Sequence, residues 1–333
     1  MLDPVAVAID GGADHTDAVA VARDGTVRAR SAGPGCSPRL LGVVDATAVV
    51  DHAVQDLLAR LADVGTPVAV HTYVSGVNSA DDAASFRARL ASAPWAPEDP
   101  AMLVVAGDMP ALLHSGTDAP DAVAVCCGTG INALGVRAGG RAVTFRAMGP
   151  LTGDWGGGWE LGQQAMWHAA RAVDGRGPAT SLVAAIPEVF GMHTLSEVVS
   201  ALQQDRMPHA SLRLLCPSIM RGADAADQVC GELLDRQAAE IVTMAVTVLR
   251  RLDLPDAAVP VVLGGGVITA GNERLTRGIL AGMIERAPHA MPTIPTVSPI
   301  AGAGVLAVGA IGGNSSERAR VRDWFTRMDS TGR

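Results

Sequence analysis

Three glycine-rich stretches, each directly after a short apolar run, are the residues of this sequence best suited to chemistry. They are Asp10-Gly11-Gly12, Gly128-Thr129-Gly130 and Gly264-Gly265-Gly266. Glycine lets backbone amides approach a phosphate closely, and a carboxylate such as that of Asp10 can hold a metal ion or its water. Each stretch alone is also an ordinary turn. Three of them at predicted strand ends together favour a nucleotide site, in which the first two hold phosphates and the third could hold the base or ribose.

Asp108 is the candidate acid–base residue. It follows the apolar run 102–106 and Gly107. A carboxylate at a strand end beside a cleft is a candidate general base. Pro110 supports a second interpretation, in which Asp108 caps the helix that follows. The local sequence leaves both interpretations open.

The segment 153–159 combines one aspartate with two tryptophans among glycines. This composition is typical of a polyol-binding loop. The Asp154 carboxylate would accept hydrogen bonds from sugar hydroxyls, and the indole of Trp155 would pack on a sugar face. A purely structural turn is the alternative.

The basic residues exclude several kinds of active site. The 333 residues include 26 basic and 34 acidic ones, for a net charge of −8, and every basic residue is arginine. Without lysine there is no P-loop lysine, no protein-kinase strand lysine and no Schiff-base lysine. Backbone amides, arginine and a metal ion must then hold any nucleotide phosphates. The acidic balance argues against nucleic acid or an anionic membrane as the partner.

Cysteine usage and hydropathy predict a cytoplasmic protein. The five cysteines are odd in number and form no CxxC pair, which is typical of reduced thiols. The first residues show no basic region ahead of an apolar stretch, so we expect no signal peptide. No apolar run is long enough to predict a membrane span.

The elements that must position these residues occur twice in the same order. The first half predicts strands over 5–9, 18–22, 26–32, 68–74 and 102–106, with helices over 45–64 and 81–92. The second half predicts strands over 122–126, 132–137, 142–147 and 259–263. Each meander ends in a Gly-Pro pair, at 33–34 and at 149–150. Further helices are predicted over 161–174, 196–204, 225–252, 272–286, 300–311 and 315–328. This order favours a duplicated α/β domain with a cleft between the copies.

The motifs, taken in order, resemble those of the N-acetylglucosamine kinase and BadF/BadG/BcrA/BcrD ATPase family, within the actin-like sugar kinase superfamily. The similar segments cover nearly the whole chain and are 8–21, 74–90, 104–113, 124–136, 153–162 and 261–270. The resemblance implies an α/β fold of two duplicated ribonuclease-H-like (actin-like ATPase) domains with an inter-domain cleft. We expect an N-terminal domain of 1–113 plus 312–333, and a C-terminal domain of 114–311 with helical additions.

The resemblance also implies roles for individual residues, with ATP and Mg²⁺ as cofactors. Asp108 would be the catalytic base, and Asp10 would lie near the metal. Asp14, close to Asp10 in the same loop, is a second expected metal ligand, because the Asp10 carboxylate already attracts a cation there. The implied nucleotide contacts are Gly11, Gly12, Asp14, Thr16, Gly128, Thr129, Gly130, Gly264, Gly265 and Gly266. The implied sugar contacts are Cys36, Ser37, Asn78, Asp108, Gly149, Asp154 and Trp155.

The sequence departs from the family pattern at three positions. Asp14 replaces a hydroxyl residue of the first phosphate loop, Cys36-Ser37 stands where an asparagine is frequent, and Trp155 replaces an acidic residue. The leading hypothesis is an ATP-dependent kinase that phosphorylates a hydroxyl of N-acetylglucosamine, glucosamine or a related hexose. One alternative is a non-catalytic sugar-binding regulatory protein of the same fold. Another is an ATPase activator of a dehydratase. The expected partner is a small sugar, with no nucleic acid or membrane, and a homodimer is compatible with the resemblance.

Overall fold

The computed structural model describes residues 4–61 and 67–331. The chain forms two compact units, Met1–Ala122 with Thr293–Arg333, and Val123–Pro292. These units differ from the predicted domains, because 114–122 and 293–311 group with the first unit. The helix 299–310 explains much of the difference, since it packs on the sheet of the first unit.

The first unit is built on a five-stranded mixed sheet. Its strands are β1 (Val5–Gly11), β2 (His15–Ala22), β3 (Val27–Pro34), β4 (Ala69–Val74) and β5 (Leu103–Ala106), in the order β3-β2-β1-β4-β5. Strands β1 and β2 are antiparallel, whereas β4 runs parallel to β1 and β5 runs parallel to β4. The carboxyl ends of β1, β4 and β5 therefore share one edge of the sheet.

The second unit repeats this arrangement. Its strands are β6 (Ala122–Cys127), β7 (Ile131–Arg137), β8 (Arg141–Thr144), β9 (Pro260–Gly264) and β10 (Met291–Thr293), in the order β10-β9-β6-β7-β8. Strands β7 and β8 are antiparallel, and β6 and β9 are parallel. A meander of three strands followed by crossover strands on the other side of the first strand occurs in both units. The duplication predicted from the sequence is thus present.

Helices cover both faces of the first sheet. They are α1 (Pro38–Ala59), α2 (Ala80–Leu90) and α3 (Met109–Gly116), with two more from the end of the chain. Along β1, Val5, Val7 and Ile9 belong to one core cluster, and Ala6 and Ala8 belong to another. Alternate residues of a strand point to opposite faces, so a strand covered on both faces is apolar throughout.

Most helices of the second unit lie between its third and fourth strands. They are α4 (Gly157–Val173), α5 (Leu182–Val189), α6 (Leu195–Gln203), α7 (Cys216–Asp224) and α8 (Gln228–Arg251). The short α9 (Gly266–Thr269) and α10 (Glu273–Arg286) follow β9, and α11 (Pro299–Ala310) and α12 (Ser315–Thr331) return to the first unit. Within the described parts of the chain, no helix is long and apolar enough to span a membrane.

Several predicted elements have different bounds in the structure. The helix predicted over 45–64 begins earlier, at Pro38, and bends at Gly42, where φ is 77°; residues 62–64 of that prediction lie outside the described residues. The helix predicted over 225–252 is wrong at its start, because Ala226 has a positive φ of 62° and α8 begins at Gln228. The strand predicted over 142–147 ends at Thr144. Helices α5 and α7 and strand β10 were not predicted.

Candidate functional site

Two aspartates lie at the edge where the parallel strands of the first unit end. Asp10 is the next-to-last residue of β1, and Asp108 follows β5 by two residues. Asp10 is 8% exposed, and Asp108 is half-buried. Burial raises the pKa of Asp10 well above its usual range, and repulsion from Asp108 and then Asp17 raises it further. Of the predicted acidic site residues, the structure therefore brings Asp10 and Asp108 together.

The Asp10 carboxylate has only negative charges among the groups that shift its pKa. Asp17 faces Asp10 across the β1–β2 ladder but is paired with Arg30, whose Nη2 lies 2.9 Å from Asp17 Oδ1. The described residues contain no group of three or more metal-ligating side chains. A magnesium ion keeps several waters and needs only one or two carboxylates beside substrate phosphates. Asp10 fits such an ion, because it is a buried carboxylate whose charged neighbours are acidic.

Asp108 does not act as a helix cap. It occupies the N-cap position of α3, yet its side chain forms no capping hydrogen bond there. Its carboxylate instead accepts hydrogen bonds from the Ser75 hydroxyl and from its own backbone N–H, and both lower its pKa. Burial outweighs them, so the pKa of Asp108 is raised. The capping interpretation is thus not supported by the side-chain geometry, and the general-base role of Asp108 stays a prediction.

Ser75 was not identified from the sequence, although the segment 74–90 contains it. It directly follows β4, and its backbone N–H donates to Gly11 O at 2.8 Å. A hydroxyl residue after a central parallel strand was the available signal. Ser75 thus joins the loop after β1 to the candidate base.

The first glycine loop is a tight hairpin in which some polar groups already form hydrogen bonds within the protein. The Gly12 N–H donates to His15 O at 2.8 Å, and Asp14 is exposed at the turn. Thr16 is fully buried, and its hydroxyl donates to Pro34 O at 2.7 Å. A Cβ on Gly11 would lie 2.1 Å from Cys36 Sγ. The structure therefore directs Thr16 into the protein and leaves Asp14 at the surface.

Among the predicted sugar contacts of the first unit, Cys36 and Ser37 are buried and Asn78 is half-buried. Cys36 is fully buried, and burial raises the pKa of its thiol to about 11, so its role here is packing against Gly11. Ser37 precedes α1, and its hydroxyl lies 3.0 Å from where a Gly76 Cβ would be. Asn78 is half-buried beside Gly107, next to Asp108. Ser37 and Asn78 thus lie on loops at the edge that carries Asp10 and Asp108.

In the second unit, the two other glycine loops touch each other. A Cβ on Gly265, which has a φ of 90°, would lie 2.5 Å from the Cys127 carbonyl and 2.7 Å from Gly128 N. Only glycine permits this approach. The loop 128–130 is closed by a hydrogen bond from Gly128 N–H to Gly130 O at 2.9 Å. The loops that follow β6 and β9 therefore form one continuous backbone surface. It includes Thr129 and ends just before Gly266.

The loop 153–156 is fixed to the rest of the second unit. Asp154 is 6% exposed, its backbone N–H donates to Gly149 O at 3.1 Å, and its carboxylate accepts a hydrogen bond from Thr152 Oγ1. Trp155 packs against the core cluster of this unit, with the Arg236 guanidinium 4.0 Å from its ring centre. The expected stacking of Trp155 on a sugar face is not supported by this placement. The segment 157–159, predicted as loop, forms the first turn of α4.

A groove of about 950 Å³ lies beside the third glycine loop. Its walls include the residues directly after α9, from Ala270 to Asn272, and parts of α7, α8 and α10. Asn272 Nδ2 donates to Asp224 Oδ1 at 2.9 Å, and Arg274 forms two hydrogen bonds with Asp235 at 2.8 and 2.7 Å. The groove thus lies next to the end of α9 and is lined by amide, carboxylate and guanidinium groups.

The family model described as the BadF/BadG/BcrA/BcrD ATPase family matches residues 7–307. The chain belongs to this family. A curated N-acetyl-D-glucosamine kinase of Dictyostelium discoideum is 26% identical over 324 residues, which cover 92% of this chain and 99% of the relative. The BadF/BadG/BcrA/BcrD membership confirms the resemblance seen in the motifs.

Solved structures confirm the fold of this BadF/BadG/BcrA/BcrD ATPase family protein. A candidate N-acetylglucosamine kinase from Chromobacterium violaceum is similar with a TM-score of 0.70 and 23% identity, covering 92% of this chain and 99% of that one. A second candidate N-acetylglucosamine kinase, from Porphyromonas gingivalis, has a TM-score of 0.67 and 19% identity, with the same coverage. The α/β fold of two duplicated halves is that of the actin-like ATPases and sugar kinases.

Proposed function

We propose that this protein is an ATP-dependent kinase that phosphorylates N-acetylglucosamine or a related hexose. The observation that carries the proposal is the pair of desolvated carboxylates, Asp10 and Asp108, at the carboxyl edge of the first sheet. The similarity to the Dictyostelium kinase over nearly the whole chain supports the same activity and sugar class.

In this proposal Asp108 is the general base. Its raised pKa brings it closer to neutrality, where a base transfers protons most efficiently. The carboxylate takes or orients the proton of the sugar hydroxyl, and the Ser75 hydroxyl holds it in place. Ser37 and Asn78, on neighbouring loops of the first unit, are proposed sugar contacts beside Asp108. Within the second unit, the proposed sugar contacts are Asp154 and Gly149. Cys36 and Trp155 support these loops from the core.

Asp10, with Asp14 nearby on the same hairpin, holds Mg²⁺ in this proposal. When bound, the ion neutralises charge on the nucleotide phosphates. Such an ion would also offset the burial and the acidic neighbours that raise the pKa of Asp10. Asp10 is thus the metal ligand, and Gly11 and Gly12 allow the hairpin to turn close to the phosphates.

The nucleotide is held mainly by the second unit. The backbone of 128–130 and 264–266 binds phosphates through N–H groups, as it must in a chain without lysine. The groove beside Asn272 receives the adenosine, with Asp224 and Asp235 as acceptors for its amino and hydroxyl groups. We also propose that the protein acts in the cytoplasm, which the five reduced cysteines support.

An ADP-release assay across a sugar panel tests the proposal. Wild-type protein is incubated with Mg-ATP and N-acetylglucosamine, glucosamine, N-acetylmannosamine or glucose, and sugar phosphate is quantified beside ADP. We expect one ADP per sugar phosphate, with an amino sugar preferred. Sugar binding without ATP binding in calorimetry would instead support the regulatory protein. ATP hydrolysis without sugar phosphate, in a protein that is brown after anaerobic purification, would support the dehydratase activator.

A further inference from the structure

Gln237 is a fully buried amide whose interactions are unusual for a core residue. It lies in α8 among apolar neighbours and is 0% exposed. Its Oε1 accepts a hydrogen bond from Gly157 N–H at 2.9 Å, whereas its Nε2 has no partner among the described residues. Burying a polar group without a partner costs free energy. The side chain is therefore poorly explained by stability alone.

The Gln237 amide fits against a backbone that only glycine permits. Gly156 has a φ of 130°, and a Cβ there would lie 2.5 Å from Gln237 Nε2 and 2.7 Å from Oε1. Asp154 precedes this contact by two residues. The amide thus packs against the end of the loop that carries Asp154, the proposed sugar contact.

The same helix start also holds the phosphate loop. Gly158 N–H donates to Gly128 O at 2.7 Å, and Trp159 N–H donates to Thr129 O at 3.0 Å. A Cβ on Gly157 would lie 2.4 Å from Gly130 Cα. The first N–H groups of a helix have no partner within the helix. Here those of Gly157, Gly158 and Trp159 bind Gln237 and the phosphate loop, so the start of α4 joins three segments.

We propose that Gln237 is a positioning residue that joins the loop carrying Asp154 to the phosphate loop 128–130, so that sugar binding and nucleotide binding are coupled. A shift of the Asp154 loop on sugar binding moves Gly157, and Gly158 and Trp159 carry that shift to the phosphate loop. Gln237 resists independent movement of the helix start. This inference rests on the proposed function, because it uses the proposed roles of Asp154 and 128–130.

Isosteric variants separate the positioning role from packing. Gln237→Met keeps the volume and loses the acceptor that holds the Gly157 N–H. Gln228→Met is the matched control, because Gln228 is on the same helix with its amide bonded to Glu232 at the surface. The free energy of unfolding of each variant is measured by urea denaturation, which reports the packing role.

Calorimetry measures the coupling itself. N-acetylglucosamine, or the hexose preferred in the panel, and Mg-AMPPNP are titrated alone and with the other ligand saturating. In wild type we expect each ligand to tighten the other by one common factor. In Gln237→Met this factor should fall about fivefold, the equivalent of one net hydrogen bond, while Gln228→Met retains it.

Three results overturn the inference. They are an unchanged factor in folded Gln237→Met, an equal loss in Gln228→Met, and a wild type that binds both ligands without coupling. If Gln237→Met does not fold, Gly156→Ala replaces it, since its Cβ would displace the amide, and an unchanged factor there also overturns the inference. A wild type that binds neither ligand contradicts the proposed function itself.

Discussion

Ser75 sets the ionisation of the candidate base at the scale of single residues. Its hydroxyl lowers the pKa of Asp108, against the larger effect of burial. Ser75→Ala removes that hydrogen bond, so the pKa of Asp108 rises further. The general base works only when deprotonated, and activity therefore falls as pH drops through this pKa. We expect the acid limb of the kcat/KM profile to move to higher pH by about half a unit or more.

The matched control for Ser75→Ala is Ser85→Ala, an exposed serine of α2. Its pH profile should coincide with that of wild type. An unshifted acid limb in Ser75→Ala, with normal activity at high pH, would show that Asp108 is not the group that titrates.

Asp14 is the residue at which the chain and its family disagree. Its carboxylate is exposed on the turn of the first glycine loop. Two unit charges about 4 Å apart repel by about 1 kcal/mol in water and by about 4 kcal/mol at an effective dielectric of 20. If Asp14 helps to hold Mg²⁺, Asp14→Thr should tighten ATP binding without Mg²⁺ and change it little with Mg²⁺.

Titration of ATP into Asp14→Thr with and without Mg²⁺ measures this, with the exposed α1 residue Asp45→Thr as control. If Asp14→Thr binds ATP with the affinity of wild type, both with and without Mg²⁺, Asp14 does not contribute to the metal site. A large gain in both conditions would identify the native chain as a weak ATP binder and contradict the kinase proposal.

The sequence predicts the placement of Asp10 and Asp108 better than the side-chain directions of the residues around them. Asp10 lies at the end of β1 and Asp108 follows β5, and parallel strands bring their carboxyl ends to one edge of the sheet. Cys36, Thr16 and Trp155 also lie in glycine-rich loops, but their side chains turn inward. The direction of a side chain in a loop depends on packing with distant segments, such as Gly11 against Cys36, which local sequence does not contain.

At the scale of elements, Asp227 determines where α8 begins. Its Oδ2 accepts hydrogen bonds from Thr180 Oγ1 and from Ser181 N–H and Oγ, at 2.6 to 2.8 Å, and Oδ1 accepts one from Cys230 N–H at 3.1 Å. Asp227→Ala should lower the free energy of unfolding by about 2 kcal/mol at pH 7, because the helix cap and a charged cluster of hydrogen bonds are lost.

The Asp227 contribution depends on pH with a definite sign. The hydrogen bonds lower the pKa of Asp227 to about 2. The stabilisation is therefore present above the unfolded pKa of about 4 and is lost as pH falls towards 2. Urea unfolding at pH 7 and at pH 2.5 should show a difference between wild type and Asp227→Ala that shrinks in acid. The exposed control Asp256→Ala should stay within about 0.5 kcal/mol of wild type at pH 7. A difference that persists undiminished in acid would contradict the assigned hydrogen bonds.

The same cap shows why one predicted helix was too long. The apolar spacing continues through 225–252, and helical periodicity alone does not mark a break. Ala226 adopts a positive φ because Asp227 is held by Thr180 and Ser181. That tertiary contact, 46 and 47 residues away, overrides the local pattern. The signal available was an aspartate followed by an apolar helical stretch.

At the scale of the whole molecule, the sequence predicts the duplication because each half repeats a strand, a glycine turn and a hairpin. The two sheets have the equivalent orders β3-β2-β1-β4-β5 and β8-β7-β6-β9-β10. The sequence does not predict which unit contains α11, because the chain leaves the second unit at 292 and returns to the first. The apolar small-residue pattern of α11 fits either core, and only its packing against α3 and β1 decides.

The central claim is that Asp108 serves the transfer of phosphate to a sugar. Asp108→Asn keeps the size of the side chain and removes the base. The direct measurement is kcat for sugar phosphorylation by Asp108→Asn beside Mg-AMPPNP affinity, with the exposed Asp81→Asn as control. We expect kcat to fall by about 10² or more, with nucleotide affinity within a few-fold of wild type. A turnover near that of wild type would contradict the account.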